Sequence, residues 1–283
     1  MDRKEESMDK KLIFLDIDGT LTTPGSNVPP DSALCAIRRA QEKGNLVFLC
    51  TGRNYAMLKP LLQYHFDGIV GSSGSYVECG GQVVCDKPMT KAQKDKVLAL
   101  LEEQHIFYTI ESKQGSYTDE RFKEFLRRNA GEDSNSEMLR WREQIEKSLN
   151  ILPIEAYQGE PIYKIVIVSQ KREPLEALEE RLGAGYHVCI QDTDAYGFTN
   201  GEVMRSDFDK GTGILSICEY LGIPVEQTVA FGDSMNDLEM METAALSICM
   251  GNGSERLKEM ADDVCGTVEE GGLQAAFEKY DLL

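Results

Sequence analysis

The sequence predicts an α/β fold with a parallel-sheet core domain and a smaller α/β domain inserted into it. Three short apolar runs, at residues 12–15, 45–50 and 228–231, each end in polar and glycine residues. Such runs are typical of strands that are buried on both faces of a parallel sheet. The carboxyl ends of parallel strands share one edge of the sheet, where open α/β folds bind ligands. We therefore expect the polar residues after these runs to lie close together.

The first run leads into two carboxylates that are one residue apart. Asp16 and Asp18 precede Gly19, and a turn at this glycine allows both side chains to face one pocket. Two unpaired anions so close together repel each other, so either a cation lies between them or one of them holds a proton. A surface turn is the alternative for this motif alone. A calcium-binding loop does not fit, because its sixth position would be Leu21 instead of glycine.

The other two runs also end in polar motifs, and one more motif opens a helix. Thr51-Gly52-Arg53 offers a hydroxyl and backbone amides that suit phosphate oxygens. The segment 232–237 begins a helix rich in carboxylates. Asp209-Lys210-Gly211 opens an amphipathic helix whose expected apolar stripe consists of Ile214, Leu215, Cys218 and Leu221. An acid, a hydroxyl, a lysine and an acidic pair are the groups that phosphoryl transfer uses.

Periodicity and turn residues predict the remaining elements. Helices are expected at 31–43, 55–64 and 90–104, around Trp141, Ile145 and Leu149, and around Leu175, Leu178 and Leu182. Strands are expected at 68–71, 105–110, 161–168 and 186–191. Gly80-Gly81 and Asn200-Gly201 predict two-residue hairpin turns. Residues 115–136 are polar, and we expect a mobile loop or a solvated helix there.

Composition narrows the possible partners. The 283 residues are 41% hydrophobic and 28% charged, which is ordinary for globular protein. The formal net charge of −18 opposes binding to nucleic acid. The charged segment 1–6 and the short first apolar run predict neither a signal peptide nor a membrane span. The eight scattered cysteines predict reduced thiols, with Cys50 in the core. We expect a cytoplasmic protein with no nucleic-acid, membrane or obligate protein partner.

In this order, the motifs resemble those of the haloacid dehalogenase superfamily of phosphohydrolases, over essentially the whole chain. The four motifs of that family are matched, in sequence order, by Asp16-x-Asp18-Gly19-Thr20, Thr51-Gly52-Arg53, Lys210 and Gly232-Asp233-x-x-Asn236-Asp237. Each motif is weak by itself, but four of them in sequence at strand ends are specific. The resemblance implies a Rossmann-like core domain.

The spacing of the motifs indicates where the second domain lies. The interval from Asp16 to Thr51 is long enough for one helix and one strand, whereas that from Thr51 to Lys210 is far longer than a βα repeat needs. We therefore predict a discontinuous core of residues 1–86 and 192–283 and an α/β cap domain of residues 87–191. An insertion after the second motif is similar to the Cof-like branch of the superfamily.

The resemblance implies a role for each motif residue in catalysis. Asp16 is expected to attack phosphorus and form an aspartyl-phosphate. Asp18 is expected to protonate the leaving oxygen and later to deprotonate the attacking water. Lys210, Thr51 and Gly52 are expected to bind the phosphoryl oxygens, because a dianion that approaches a carboxylate needs positive charge at those oxygens.

The same resemblance implies Mg²⁺ as the cofactor. Its expected ligands are the Asp16 carboxylate, the Asp18 backbone carbonyl and Asp233. Asn236, Asp237 and Arg53 are expected to support the site, with Asp237 holding Lys210. An acid in the first turn of a helix, favoured by the helix dipole, is the alternative for Asp237. A structural ion pair is the alternative for Arg53.

One loop departs from the pattern of the Cof-like branch. These relatives usually have Asn-Gly where this chain has Ser73-Gly74, in the segment Ser72-Ser73-Gly74. The departure puts in doubt any contact that the asparagine side chain makes to substrate or cap. We expect the chemistry to survive it.

The leading functional hypothesis is a Mg²⁺-dependent phosphatase of small phosphorylated metabolites, with sugar phosphates as the favoured substrate class. A phosphomannomutase-like transferase is one alternative, but segment 23–27 lacks the basic residues typical of that group. A sensor that binds a phosphorylated metabolite without catalysis is another, although Asp16 and Asp18 are both present. Tyr163 and Lys164 are candidate specificity residues; on a strand, one would face the helices of the cap and the other a free sheet surface.

Overall fold

The computed structural model describes residues 10–118, 151–190 and 199–283. These residues divide into two compact units. Unit 1 contains residues 10–52, 60–86 and 209–283, and unit 2 contains residues 53–59 together with the described part of 87–208. The predicted helix around Trp141 and the start of the predicted hairpin before Asn200 lie outside the described residues.

Unit 1 is built on an eight-stranded sheet, and unit 2 on a six-stranded one. The strands, in chain order, are β1 (Leu12–Leu15), β2 (Leu46–Cys50), β3 (Gly68–Gly71), β4 (Tyr76–Cys79), β5 (Gln82–Asp86), β6 (Phe107–Ser112), β7 (Ser116–Thr118), β8 (Ile151–Pro153), β9 (Ile162–Ser169), β10 (Tyr186–Ile190), β11 (Thr199–Arg205), β12 (Thr228–Gly232), β13 (Leu246–Cys249) and β14 (Asp263–Val264).

The sheet of unit 1 has the order β14-β13-β12-β1-β2-β3-β4-β5. The six strands from β14 to β3 are parallel, and β4 and β5 extend the sheet as an antiparallel hairpin. The central strand β1 is buried at every residue. The predicted α/β class and the parallel-sheet core are confirmed.

Helices cover the sheets of both units. Their bounds are Asp31–Glu42, Lys210–Leu221, Leu238–Thr243, Glu255–Met260 and Gly272–Lys279 in unit 1, and Tyr55–Leu58, Lys91–Glu103 and Glu173–Leu182 in unit 2. The predicted helix 55–64 is wrong beyond its first turn. It ends before Pro60, which has no N–H for a helical hydrogen bond, and a short 3₁₀ turn follows at Leu62–Tyr64.

The helix Lys210–Leu221 begins where the sequence predicts, but the predicted apolar stripe is wrong at one residue. Leu215 is 47% exposed, whereas Ile214, Ile217 and Cys218 are buried against the sheet. These three follow the i, i+3, i+4 spacing of one helix face, and Leu215 lies off that face.

The turn between β4 and β5 confirms the Gly80-Gly81 hairpin. Both glycines have positive φ, 56° and 76°, as a type I′ turn requires. All eight cysteines are free thiols, and Cys50 is fully buried at the end of β2. Burial raises the pKa of the Cys50 thiol far above its usual range, which suits a residue of the core.

In unit 2, the sheet has the order β10-β11-β9-β6-β7-β8, and β11 lies between β10 and β9. The predicted turn at Asn200-Gly201 is therefore wrong, because both residues are inside β11. A Cβ at Gly201 would lie 2.7 Å from the Cys189 carbonyl oxygen, so glycine permits close strand approach here. β11 pairs within the sheet of unit 2, and this unit ends at Phe208.

Two further expectations about unit 2 need correction. Lys164 does not lie on a free sheet surface: it and Tyr163 are both buried, and its Nζ lies 2.5 Å from Glu202 Oε1 and 3.6 Å from Glu111 Oε2. Residues 116–118, expected in a loop or helix, form the buried strand β7. Across the part of the chain that the structure describes, the helices are too short or too polar to cross a membrane.

Candidate active site

Asp16 follows directly after the central strand of unit 1. Its backbone N–H still donates to the Phe231 carbonyl, at 3.0 Å, so the ladder with β12 fixes its position. The side chain is buried. Since β1 lies between β2 and β12, residues that follow either neighbouring strand come next to Asp16.

The turn after Asp16 is shaped by Gly19. This residue has a φ of +87°, and a Cβ there would clash with the Asp233 carboxylate. Its N–H donates to the Thr22 carbonyl at 2.8 Å, which closes the turn. Asp18 is half-buried, and its Oδ1 accepts a 2.8 Å hydrogen bond from the Gly25 N–H. The turn therefore places the backbone of Gly19 directly against the Asp233 carboxylate.

Lys210 is the first residue of its helix. Asp209 caps that helix, accepting from the Thr212 N–H at 2.7 Å while its own N–H donates to the Thr212 hydroxyl. The Lys210 ammonium is buried and donates to Asp16 Oδ1 at 2.7 Å and to Asp237 Oδ1 at 2.5 Å. The structure thus brings the predicted lysine to the predicted nucleophile, and Asp237 to the lysine.

Asp237 also shapes the loop after β12. Its Oδ2 accepts from the N–H groups of Asp233, at 3.0 Å, and Ser234, at 3.1 Å. Asn236 accepts from the Ser234 hydroxyl at 2.8 Å and so belongs to the same loop. With one oxygen on Lys210 and the other on two amides, Asp237 is fully engaged, whereas Asp233 Oδ1 is buried and receives no hydrogen bond from residues 10–118, 151–190 or 199–283.

Asp16, Asp233 and Asp237 form an acidic cluster. One carboxylate oxygen from each lies within 4.8 Å of those of the other two. The Asp18 side chain is not in this group, since it turns to the Gly25 amide. Three buried carboxylates face one ammonium, and one buried oxygen lacks a donor among the described residues. A hard cation that prefers oxygen ligands fits this donor set.

The charges of the cluster shift one another's protonation. Burial, then the neighbouring Asp237, raises the pKa of Asp16 to about 7, although Lys210 opposes the shift. The same two causes hold the pKa of Asp233 well above its usual range. Burial alone would lower the pKa of Lys210, but Asp16 and Asp237 outweigh it and keep that pKa well above its usual range. The lysine is therefore a permanent cation, and the carboxylates need more positive charge to be ionised together.

Thr51 and Gly52 are buried at the end of β2. The Thr51 N–H donates to the Val70 carbonyl at 2.8 Å, and its carbonyl accepts from the Ser73 N–H at 3.1 Å. The register of β1 with β2 puts the two residues beside the Asp16 turn. Arg53 is buried too, and it belongs to unit 2.

The loop that departs from the Cof-like pattern has an unusual backbone. Ser72, Ser73 and Gly74 have positive φ in succession, 47°, 53° and 91°. Asparagine adopts this region more readily than serine, which gives a backbone reason for its use in relatives. A Cβ at Gly74 would clash with the backbone of Asp209, so the loop packs directly against the cap of the Lys210 helix.

One contact of the site was not found from the sequence. Asn252 follows β13 and donates from Nδ2 to the Gly19 carbonyl at 2.7 Å. The available signal was the apolar run 246–250 ending in Gly251-Asn252-Gly253, which repeats the pattern of a buried strand that ends in a polar turn.

Comparison with known proteins agrees with this geometry. The sequence model of the haloacid dehalogenase-like hydrolases matches residues 13–277. Phosphatase YwpJ of Bacillus subtilis (strain 168) is 27% identical over 282 residues, covering 93% of this chain and 97% of YwpJ. The 5-amino-6-(5-phospho-D-ribitylamino)uracil phosphatase YitU of the same organism is 26% identical over 290 residues, covering 95% of this chain and 97% of YitU.

A solved haloacid dehalogenase-like hydrolase from B. subtilis has the same fold. It superposes with a TM-score of 0.78 at 25% identity, covering 95% of this chain and 99% of that chain. Since the family match spans nearly the whole sequence and the fold agrees with it, this chain belongs to the haloacid dehalogenase-like hydrolases, in their Cof-like branch.

Proposed function

We propose that this chain is a Mg²⁺-dependent phosphatase that hydrolyses small phosphorylated metabolites through an aspartyl-phosphate on Asp16. The observation that carries the proposal is the buried meeting of Asp16, Lys210, Asp233 and Asp237 at the carboxyl ends of the unit 1 strands. This two-step chemistry requires a nucleophilic carboxylate, a fixed cation and a cluster of carboxylates.

In the first step, Asp16 attacks the phosphorus. Lys210 holds Oδ1 of Asp16, which leaves Oδ2 as the attacking oxygen. A new bond forms from Oδ2 to phosphorus while the bond from phosphorus to the ester oxygen breaks. Asp18, two residues after Asp16, gives its proton to that leaving oxygen, so the alcohol departs neutral.

In the second step, water attacks the phosphorus of the aspartyl-phosphate. Asp18, now ionised, takes a proton from the water, and the bond between phosphorus and Asp16 Oδ2 breaks. Inorganic phosphate leaves, and the two carboxylates return to their starting states. Lys210 stays within hydrogen-bond distance of Asp16 and balances charge in both steps.

The donor set favours Mg²⁺, with the Asp16 carboxylate, the Asp18 backbone carbonyl and Asp233 as its proposed ligands. When bound, this ion would neutralise charge on the phosphoryl oxygens and favour ionised Asp16. The buried Asp233 Oδ1, which has no donor among the described residues, supports the assignment. We assign Asp237 and Asn236 to the support of this loop, and Thr51 and Gly52 to binding of the phosphoryl oxygens.

We propose sugar phosphates as the first substrate class and unit 2 as the cap domain that selects among substrates. The name of YitU specifies a phosphate on a ribityl chain, which is a polyol, and this supports a hydroxyl-rich substrate. Arg53, which belongs to unit 2, is proposed to support the site. The net charge of −18 supports a small substrate over nucleic acid, and eight free thiols support a reducing, cytoplasmic location.

Phosphate release from a panel of monoesters tests the proposal. Sugar, nucleoside and cofactor monophosphates are incubated with the purified chain in Mg²⁺ or in EDTA. We expect release from at least one sugar phosphate in Mg²⁺ and little release in EDTA. Binding of an ester without turnover would favour a sensor, and transfer of phosphate to a second sugar hydroxyl would favour a mutase. Equal release in EDTA would contradict the role of the metal.

A further inference from the structure

Asn252 makes a contact that joins two distant parts of the chain. It lies in the loop after β13, is exposed, and donates from Nδ2 to the Gly19 carbonyl at 2.7 Å across 233 residues of sequence. Gly19 closes the turn that carries Asp18. The side chain of Asn252 therefore binds the backbone of the first catalytic motif from outside that motif.

The same loop also holds the backbone of Asp233. The Met250 N–H donates to the Gly232 carbonyl at 2.9 Å, and the Ser254 N–H donates to the Asp233 carbonyl at 2.8 Å. Gly253 fits closely between them, since a Cβ there would lie 3.0 Å from the Asp233 carbonyl oxygen. Residues 250–254 thus contact Asp233 through their backbone and the Gly19 turn through one side chain.

These contacts matter because Gly19 and Asp233 pack without spare room. A Cβ on Gly19 would clash with the Asp233 carboxylate, so the separation of the turn from this carboxylate is at its steric minimum. Cation sites tolerate little change in the distance between ligands, Mg²⁺ least of all. Whatever fixes the turn relative to Asp233 also fixes the spacing of the oxygens that would share the ion.

We propose that Asn252 is a positioning residue that sets the metal affinity of the site by fixing the Gly19 turn relative to Asp233. It touches neither the ion nor the substrate in this assignment and acts through the Gly19 carbonyl. The inference rests on the proposed metal dependence of the chain.

Asn45 provides a matched control. Its Nδ2 donates to the Leu282 carbonyl at 2.8 Å, again a side-chain amide bound to a distant backbone carbonyl of unit 1. Its Oδ1 accepts from the Lys11 N–H at 2.8 Å, at the amino ends of β1 and β2 and so at the opposite edge of the sheet from Asp16. Asn45→Ala removes this contact and the hydrogen bond from Lys11, without touching the Gly19 turn.

Binding of Mn²⁺ alone, followed by electron paramagnetic resonance, tests the inference on the full chain without substrate. Mn²⁺ accepts the same oxygen ligands as Mg²⁺. We expect Asn252→Ala to raise the Mn²⁺ dissociation constant about two- to tenfold, which corresponds to one hydrogen bond. Asn45→Ala should lower the unfolding temperature and leave the dissociation constant unchanged. The KM for the ester at saturating Mg²⁺ should stay within about twofold in both variants.

Asn252→Asp compares the loss of the hydrogen bond to Gly19 with the addition of a negative charge near the acidic cluster. It keeps the shape of the side chain but replaces the donor with a carboxylate, which adds a negative charge near the cluster. If Asn252 acts through the Gly19 carbonyl, Mn²⁺ binding weakens in this variant too. If this variant binds Mn²⁺ as tightly as wild type or more tightly, the contact with the Gly19 carbonyl does not set the metal affinity, and the inference is overturned.

Two results overturn different statements. Equal Mn²⁺ affinity in wild type and Asn252→Ala would overturn the positioning role of Asn252 and leave the proposed phosphatase intact. Wild-type chain that binds neither Mn²⁺ nor Mg²⁺ would overturn the proposed metal dependence, and this inference with it.

Discussion

The Lys210 ammonium donates a hydrogen bond of 2.7 Å to the Asp16 carboxylate, across 194 residues of sequence. Both groups are buried, and Asp237 contacts the same ammonium. The lysine therefore neutralises part of the negative charge of the three buried carboxylates. Its loss should affect both the stability of the fold and the chemistry.

We expect Lys210→Met to destabilise the metal-free chain by about 3–5 kcal/mol, because it leaves buried carboxylates without their cation. Turnover and phosphate binding should both fall, since the charge acts on the ground state and the transition state alike. Urea unfolding in EDTA measures the first effect. Lys279→Met, which breaks the exposed pair with Asp263, is the control and should cost under about 1 kcal/mol. Equal costs in the two variants would contradict the argument.

Asp16→Asn should lower turnover to below about a thousandth of wild type, as the loss of an attacking nucleophile does. The amide oxygen still accepts from Lys210, so far-ultraviolet circular dichroism should match wild type. Phosphate release from the best ester of the panel measures the loss. Near-normal turnover by this variant would rule out the covalent route.

Asp18→Asn should lower turnover by about 10²- to 10⁴-fold, the usual contribution of a general acid and base, with KM little changed. The loss should be smaller for p-nitrophenyl phosphate than for a sugar phosphate, because a nitrophenolate departs without a proton. Comparison of the two substrates checks this role. An equal loss for both would point to a purely structural role of Asp18.

Gly19→Ala should abolish metal-dependent turnover, because the added Cβ clashes with the Asp233 carboxylate and the φ of +87° is strained for alanine. Gly44→Ala separates the two causes. Gly44 also has a positive φ, +99°, but nothing lies within 4 Å of its Cβ position, so only the strain of about 1–3 kcal/mol applies. We expect Gly44→Ala to keep full specific activity at 20 °C. Comparable losses of activity in the two variants would be inconsistent with a steric role of Gly19.

The stability of the metal-free chain should fall as pH rises from about 4 to about 7. The pKa of Asp16 is about 7 in the folded chain and 3.8 ordinarily, so over this window the folded state holds a proton that the unfolded state has lost. Asp233 acts in the same direction. Mg²⁺ binds the ionised carboxylates, so it should stabilise the chain more at pH 8 than at pH 5. Urea unfolding at both pH values, with Mg²⁺ or EDTA, checks this, and Asp16→Asn should flatten the profile in EDTA.

The sequence predicted the parts of unit 1 that depend on local pattern. Buried parallel strands carry continuous apolar runs, so β1, β2 and β12 were found, and the polar residues that follow β1 and β12 do meet. The Gly80-Gly81 turn was found because two positive φ angles in a hairpin nearly require glycine.

Other features escaped prediction for physical reasons. Asn252 acts through one hydrogen bond across 233 residues, which leaves no periodic signal in the chain. Asn200-Gly201 has the composition of a turn, but the pairing of β11 with β9 and β10 outweighs local preference. The acidic cluster includes Asp237 and not the Asp18 side chain, because the Asp18 carboxylate accepts from the Gly25 N–H. Composition does not show where this N–H lies in the fold.

The position of β1 between β2 and β12 means that its pairing can be completed only after β12 has been translated. The strands of unit 2 all lie between residues 107 and 205, so the ribosome finishes that sheet before Lys210 and β12 have been made. Until residue 228 emerges, one edge of β1 lacks β12, and the nascent chain carries Asp16 without Asp233 and Asp237. We expect catalytic competence to arise only after β12 and Asp233 have been made.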